Sequence, residues 1–230
     1  GGRTQTEEYF PTGEIKKTYG DDTYPVEHTY DYSGRMATMA TWQDYDGGMG
    51  KVFTAWEYND AGLLEEKRYD ANADGSGGVN IINYTYTPGG RLDTRQWARS
   101  GSGGRVTSSY GYRNDGLLAT TSYSNEQADV VTPPATFDYD LAGRQTSIID
   151  GSGTRALEYE FGRLVSETYV AGELTGFALE RDFDEPRKRL TGLTLKQSGL
   201  PRYGVTYGYD ASTGRFQSVV AGDITHEQTY

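Results

Sequence analysis

The chain of 230 residues contains no cysteine, so neither disulfide bonds nor thiol chemistry can contribute, and its redox compartment is left open. Histidine is nearly as scarce: His28 and His226 offer too few nitrogen ligands for a zinc centre, and no nucleophile motif accompanies them for a triad. No apolar run approaches the roughly 20 residues of a membrane-spanning helix. Glycine-rich stretches such as Gly101 to Gly104 lack the lysine and following hydroxyl residue of a phosphate loop. No segment shows a sustained helical period with caps. Basic residues are the minority, 22 against 33 acidic ones, and the net charge of −11 excludes a nucleic-acid backbone or an anionic membrane surface as the natural partner. The chain opens on Gly1-Gly2-Arg3 and closes on Tyr230, the anchor of a unit that does not finish, so it is expected to be an excerpt of a longer protein.

Hydrophobic residues make up only 35% of the chain and the mean hydropathy is −0.73, yet 20 tyrosines and the absence of long like-charge blocks argue against disorder. A tyrosine brings a large apolar ring and a hydroxyl, which suits a half-exposed strand. The expected core is therefore thin, aromatic and spread along the whole chain.

What the sequence does contain is a recurring phrase, Tyr-Asp-x-x-Gly-Arg-Leu in its fullest form. It appears at Tyr30-Asp31…Gly34-Arg35, Tyr58…Gly62, Tyr86…Gly90-Arg91, Tyr112…Gly116, Tyr139-Asp140…Gly143-Arg144 and, one residue shorter, Tyr159…Gly162-Arg163. Looser copies are Tyr9…Gly13, Phe183-Asp184…Leu190 and Tyr209-Asp210…Gly214-Arg215. A fixed short period marks a supersecondary unit that buries its apolar face only by stacking on neighbours. Residues 1–230 thus read as one array of about nine units.

Alternate residues before each anchor form an apolar or aromatic column, as in Tyr24, Val26 and His28 or Val52, Thr54 and Trp56. Period-two alternation of β-branched and aromatic residues predicts a strand. The intervening residues are small or polar, as expected of a wetter face. After the anchor, Asp or Asn bonds its own backbone and glycine accepts positive φ, which predicts a tight turn into an antiparallel return strand. Asp31, Asp140, Asp184 and Asp210 thereby receive a backbone role, with Arg35, Arg91, Arg144, Arg163 and Arg215 as a ladder beside turn carboxylates. The fold class is all-β, built of antiparallel hairpins joined edge to edge. A β-propeller, with two units to a blade, is the alternative architecture.

These units resemble the YD repeats of the Rhs family, which includes bacterial Rhs polymorphic toxins, the C component of Tc insecticidal toxins, wall-associated bacterial proteins and the animal teneurins. The resemblance runs from Tyr9 to Tyr230. It implies a sheet strip that spirals into a hollow shell, a secreted or cell-surface location, and partners in the flanking repeats of the parent chain and an enclosed C-terminal effector domain. No catalytic residues follow from it. The units at Tyr159 and Phe183 depart from the pattern, with Glu185-Pro186-Arg187 where the second would have its glycine turn. The family's self-cleaving core segment is not recognisable. An outward-facing adhesion or glycan-binding stalk is the rival reading, with Trp42, Trp56 and Trp97 as stacking candidates. Open sheet edges at the ends of the array predict self-association.

One run stands apart from the repeat. Asp70, Asn72, Asp74 and Ser76 have the D-x-N-x-D-G spacing that places oxygens around a hard cation, with Gly75 at the sharp turn. Ile81 stands at the twelfth loop position in place of a bidentate glutamate, so any calcium site would be weak. The competing reading is a polar hairpin tip.

Overall fold

A computed structural model describes residues 2–101, 103–124, 131–184, 188–222 and 224–227. The strands run β1 (Gln5–Tyr9), β2 (Ile15–Gly20), β3 (Thr23–Tyr30), β4 (Met36–Thr41), β5 (Val52–Tyr58), β6 (Leu64–Ala71), β7 (Asn80–Tyr86), β8 (Leu92–Gly101) and β9 (Gly104–Tyr112). They continue as β10 (Leu118–Ser124), β11 (Ala135–Tyr139), β12 (Gln145–Asp150), β13 (Gly153–Glu160), β14 (Arg163–Ala171) and β15 (Phe177–Phe183). The last are β16 (Leu190–Gln197), β17 (Leu200–Tyr209), β18 (Phe216–Ala221) and β19 (Ile224–Glu227). No helix occurs among the described residues. The chain divides into two compact units, Gly1–Tyr110 with Tyr123–Val131 and Gly111–Ser122 with Thr132–Tyr230.

In the first unit, β1 to β9 pair in chain order, each antiparallel to the next. In the second, β10 to β19 do the same. A propeller would interrupt this pairing after every fourth strand to start a new blade. Each unit instead keeps pairing without a break, so the propeller alternative is wrong and the fold is edge-to-edge hairpins.

Register assigns the faces, because directly opposed residues share one face. The aromatic column lies on one: His28 opposes Met39, Met39 opposes Thr54, Trp56 opposes Lys67, and Tyr84 opposes Arg95. The small residues lie on the other, where Thr38 opposes Ala55 and Ala40 opposes Phe53. That second face is not uniformly wetter. Thr38, Ala40, Ala55 and Ala71 are among the most buried side chains, alongside Ile82, Val106 and Ser108. Over Thr38 and Ala55 the cause is the connection between β6 and β7, which folds back over this face of the sheet. A Cβ placed on Gly75 would sit 3.5 Å from Thr38 Cγ2 and 3.7 Å from the Ala55 Cβ. Small residues on the strands are what allow a loop backbone so close.

Candidate functional site

The repeated phrase builds one local structure many times over. At each anchor the strand register slips by a residue, as between Thr29 and Tyr30, Glu57 and Tyr58, Thr85 and Tyr86, or Gly208 and Tyr209. Such a bulge re-aims the side chain it carries. The re-aimed tyrosine donates its hydroxyl hydrogen bond to the carbonyl of the first residue in the preceding hairpin's return strand. Tyr30 donates to Ile15 (2.9 Å), Tyr58 to Met36 (3.0 Å), Tyr86 to Leu64 (2.7 Å), Tyr139 to Leu118 (2.8 Å) and Tyr209 to Leu190 (2.9 Å). The anchor thus ties one hairpin to the next and satisfies a half-buried carbonyl.

The turn after the anchor is equally regular. The amide of Gly34 donates to the Asp31 carbonyl (3.0 Å) and the amide of Asp31 to the Arg35 carbonyl (2.8 Å). This is a type I turn closed by a glycine bulge, and Gly34 has φ +75°. The same pair of bonds recurs around Asn59 and Gly62, Thr87 and Gly90, Arg113 and Gly116, and Asp140 and Gly143. The Asp31 carboxylate accepts from the amides of Ser33 and Arg35 (both 2.9 Å) and from Arg35 Nε (2.7 Å). Asp140 repeats this with Ala142 and Arg144. Both carboxyls lie below their ordinary pKa. At Asp31 desolvation is the largest influence and pushes upward, but the Arg35 hydrogen bonds and charge outweigh it; at Asp140 the Arg144 amide and guanidinium bonds dominate.

The arginine that ends a turn also reaches the next anchor. Arg35 lies 4.4 Å from the Tyr58 ring centroid, Arg144 4.9 Å from Tyr159, Arg163 5.7 Å from Phe183 and Arg189 4.2 Å from Tyr209. These are cation–π distances. The next turn's glycine makes room: a Cβ on Gly62 would come within 3.1 Å of Arg35 Nη1. Arg189 goes further, donating to the Gly214 carbonyl at 2.8 Å.

Arg189 is the residue that sequence reasoning missed. Asp184 holds it as Asp31 holds Arg35, through the Arg189 amide and Nε (both 2.8 Å), so this turn keeps the pairing despite its missing glycine. Lys188, at φ +54°, occupies the glycine position, while Glu185, Pro186 and Arg187 lie outside the described residues. The signal was available: Arg189 directly precedes Leu190 as Arg35 precedes Met36, and the extra turn residue matches the Asp210 to Arg215 spacing. In that last turn, Asp210 accepts from Ser212 and Thr213, which hold its carboxyl far below the usual range, and the Arg215 amide donates to Thr213 Oγ1. Around Tyr86, the Arg91 amide donates to Thr87 Oγ1 (3.2 Å). Tyr112 ends β9, with Gly116 closing its turn onto Arg113.

The D-x-N-x-D-G run is a folded-back hairpin tip. Asp74 Oδ1 accepts from Ser76 N (2.9 Å) and Oγ (2.6 Å), Asn72 Nδ2 donates to Ser76 Oγ (3.1 Å), and Arg68 Nη1 donates to the Gly75 carbonyl (3.1 Å). A cation seated there would have to displace Ser76 from Asp74. Asp70 faces Asn80, 3.5 Å away. Among the described residues, no three His, Asp or Glu side chains converge as metal ligands.

The tryptophans are committed elsewhere. Trp42 is buried with Tyr45 edge-on at 5.1 Å, Trp56 lies 5.2 Å from Lys67 Nζ, and Trp97 donates Nε1 to Ser108 Oγ (2.8 Å). His28 is half-buried with Nδ1 unpartnered, and burial pushes its pKa down. The side chain of His226 lies outside the described residues. Arg68 binds Glu57 and Glu66, Asn83 donates to Glu66 (2.9 Å), and Arg105 donates to Asn83 (2.8 Å). The polar groups of the face that carries Ala55 thus bond to one another across β5 to β9.

Residues 135–174, which span the Tyr139 and Tyr159 units, match the RHS Repeat family model. No curated protein sequence matches the chain. Among solved structures, a crystal structure of TcdB2-TccC3-Cdc42 is similar at 15% identity and TM-score 0.62, over 95% of this chain and 13% of that one. TcdB2-TccC3 without its hypervariable C-terminal region gives 12% identity and 0.53, over 95% and 14%. The Photorhabdus luminescens Tc holotoxin pore gives 15% and 0.55, over 95% and 12%. The shared feature is the fold, and this chain spans only about an eighth of the length of those chains.

Proposed function

We infer that this array of RHS repeats serves as a length of shell wall, a structural segment with no chemistry of its own, which encloses or presents an effector domain of a larger exported protein. The observation that carries the reading is where the signature residues are spent. Each anchor hydroxyl, turn carboxylate and turn arginine described above holds one hairpin to itself or to the next. A wall needs continuity of pairing and satisfied turns; an enzyme needs convergent groups left free to react. The solved structures of the same fold belong to Tc toxin assemblies, which favours the wall over a stalk. A stalk that binds glycans through tryptophan would present those rings, and Trp42, Trp56 and Trp97 are instead engaged within the sheet.

Cryo-electron microscopy of the complete parent polypeptide tests this. The wall reading expects these hairpins to line a cavity that contains density for another domain. Hairpins standing clear of any enclosed domain, with both faces in solvent, would reject it.

A further inference from the structure

Between the first two turns of the array lies a cavity of about 360 Å³, lined by Phe10, Thr12, Glu14, Tyr30, Tyr32 and Gly34. Elsewhere the corresponding place, above the anchor ring and beside the next turn's glycine, is taken by the residue that ends the preceding turn. Arg35, Arg144, Arg163 and Arg189 fill it with guanidinium groups 4.2 to 5.7 Å from the ring centroids. Leu63 fills it near Tyr86, its Cδ1 lying 3.9 Å from where a Cβ on Gly90 would be. At Tyr30 the residue in this position is Glu14, with Oε1 3.5 Å from the point a Gly34 Cβ would occupy. A carboxylate does not cover the electron-rich face of an aromatic ring. Phe10 meets Tyr30 perpendicular at 6.0 Å, and Tyr32 stands 98% exposed.

We propose that this slot binds an arginine side chain from a partner polypeptide. The guanidinium would lie against the Tyr30 ring and pair with the Glu14 carboxylate, completing from outside the ladder that the chain's own arginines complete elsewhere. The occupant is read from the repeats themselves, which show what fits over an anchor ring at this spacing. Charge agrees: the slot contributes a carboxylate where Arg35, Arg144, Arg163 and Arg189 contribute a cation, and the chain carries a net charge of −11. A guanidinium suits the place better than an ammonium, because its plane stacks on the ring while its edge pairs with a carboxylate. Asp31 is already occupied by Arg35 (2.7 Å), so Glu14 is the pairing group.

The test is a titration of the isotopically labelled full chain with acetyl-Gly-Arg-Gly-amide, followed by amide NMR shifts, with the uncharged citrulline peptide as control. Saturable shifts at Gly13, Tyr30 and Tyr32 are expected, with a Kd of about 1 mM for so small a probe. Glu14→Gln weakens binding about tenfold by removing the pairing charge. Glu14→Arg supplies the guanidinium from within and abolishes binding. Absence of saturable shifts at those amides, equal binding of the citrulline peptide, or undiminished binding by Glu14→Arg would overturn the proposal. Because Glu14 is in an exposed turn, these variants keep the strands intact, which circular dichroism verifies.

Discussion

The two units are made from the same hairpins, yet the named buried side chains (Ala40, Ala55, Ile82, Val106 and their neighbours) all belong to the first. The difference lies in the connections. In the first unit, residues 42–51 and 72–79 are long enough to return to the sheet: Trp42 packs with Tyr45, and Gly75 lies over Thr38 and Ala55. A bulge between Gln96 and Ser100 lets Trp97 reach Ser108. In the second unit, some of the links are only two residues long. Gly151 and Ser152 join β12 to β13, and Ser198 and Gly199, both with positive φ, join β16 to β17. The Ser198–Gly199 turn has the positive φ values that match the twist of the strands, and a Cβ on Gly199 would meet nothing within 4 Å. A single sheet has no second layer unless something supplies one. The first unit supplies part of its own; the second leaves half-exposed faces.

Substitutions in matched positions should separate the units most clearly. Ile82→Ala, buried in β7 on the aromatic face of the first unit, is expected to cost about 2–4 kcal/mol in urea denaturation. Leu195→Ala, on β16 and 37% exposed, is expected to cost about 0.5 kcal/mol or less. Comparable losses at the two sites would erase the distinction. Next in size is Gly75→Val. Its φ of +83° costs about 1–2 kcal/mol by itself, and the valine branches, set against Thr38 and Ala55, should lift the covering loop at a further cost. The same change at Gly199, φ +79° with nothing near its Cβ, carries only the backbone cost, so the excess measures the cover itself.

Smaller effects sharpen the comparison from the other side. Phe161 holds φ +48° in the two-residue turn between β13 and β14 and is 87% exposed. Phe161→Asn should raise the melting temperature of the second unit, by up to about 1 kcal/mol in stability, since asparagine tolerates the left-handed region. The pH dependence should separate the units again. Burial lowers the pKa of His28, so the unfolded chain binds the proton more readily than the folded one. Stability is fully present with His28 neutral and declines as pH falls below about 6.5, levelling off below the folded value. Asp31 and Asp140 act lower: their depressed pKa values contribute stability above the unfolded value of about 3.9, lost as pH falls through the folded ones. Melting curves of His28→Phe should lack the first decline and keep the second.

The strands and turns were legible because their signals are local: a period of two before the anchor, then Asp or Asn with glycine three residues on. The anchor's tie to the preceding hairpin was not, because the acceptor is a backbone carbonyl 15 to 22 residues away and carbonyls carry no sequence signature. Arg189 was hidden by one extra turn residue, which shifts it out of a fixed-spacing pattern. The fold-back of Gly75 was obscured by chemistry shared between two outcomes: Asp, Asn and Gly at that spacing suit both a cation loop and a tight turn. What permits the fold-back is long-range, namely that Thr38 and Ala55 are small enough to admit a backbone.

Within each unit the hairpins form a sheet, most deeply buried where the connections of the first unit return to it and where Trp97 meets Ser108. Native-state hydrogen exchange on the whole chain tests it most directly. The account predicts the slowest amides in β4 to β7 and around Val106 in β9, with those of β12 to β17 exchanging about a hundredfold faster. Equal protection across both sets would contradict it, since the loops of the first unit would then add nothing to the stability of the sheet beneath them.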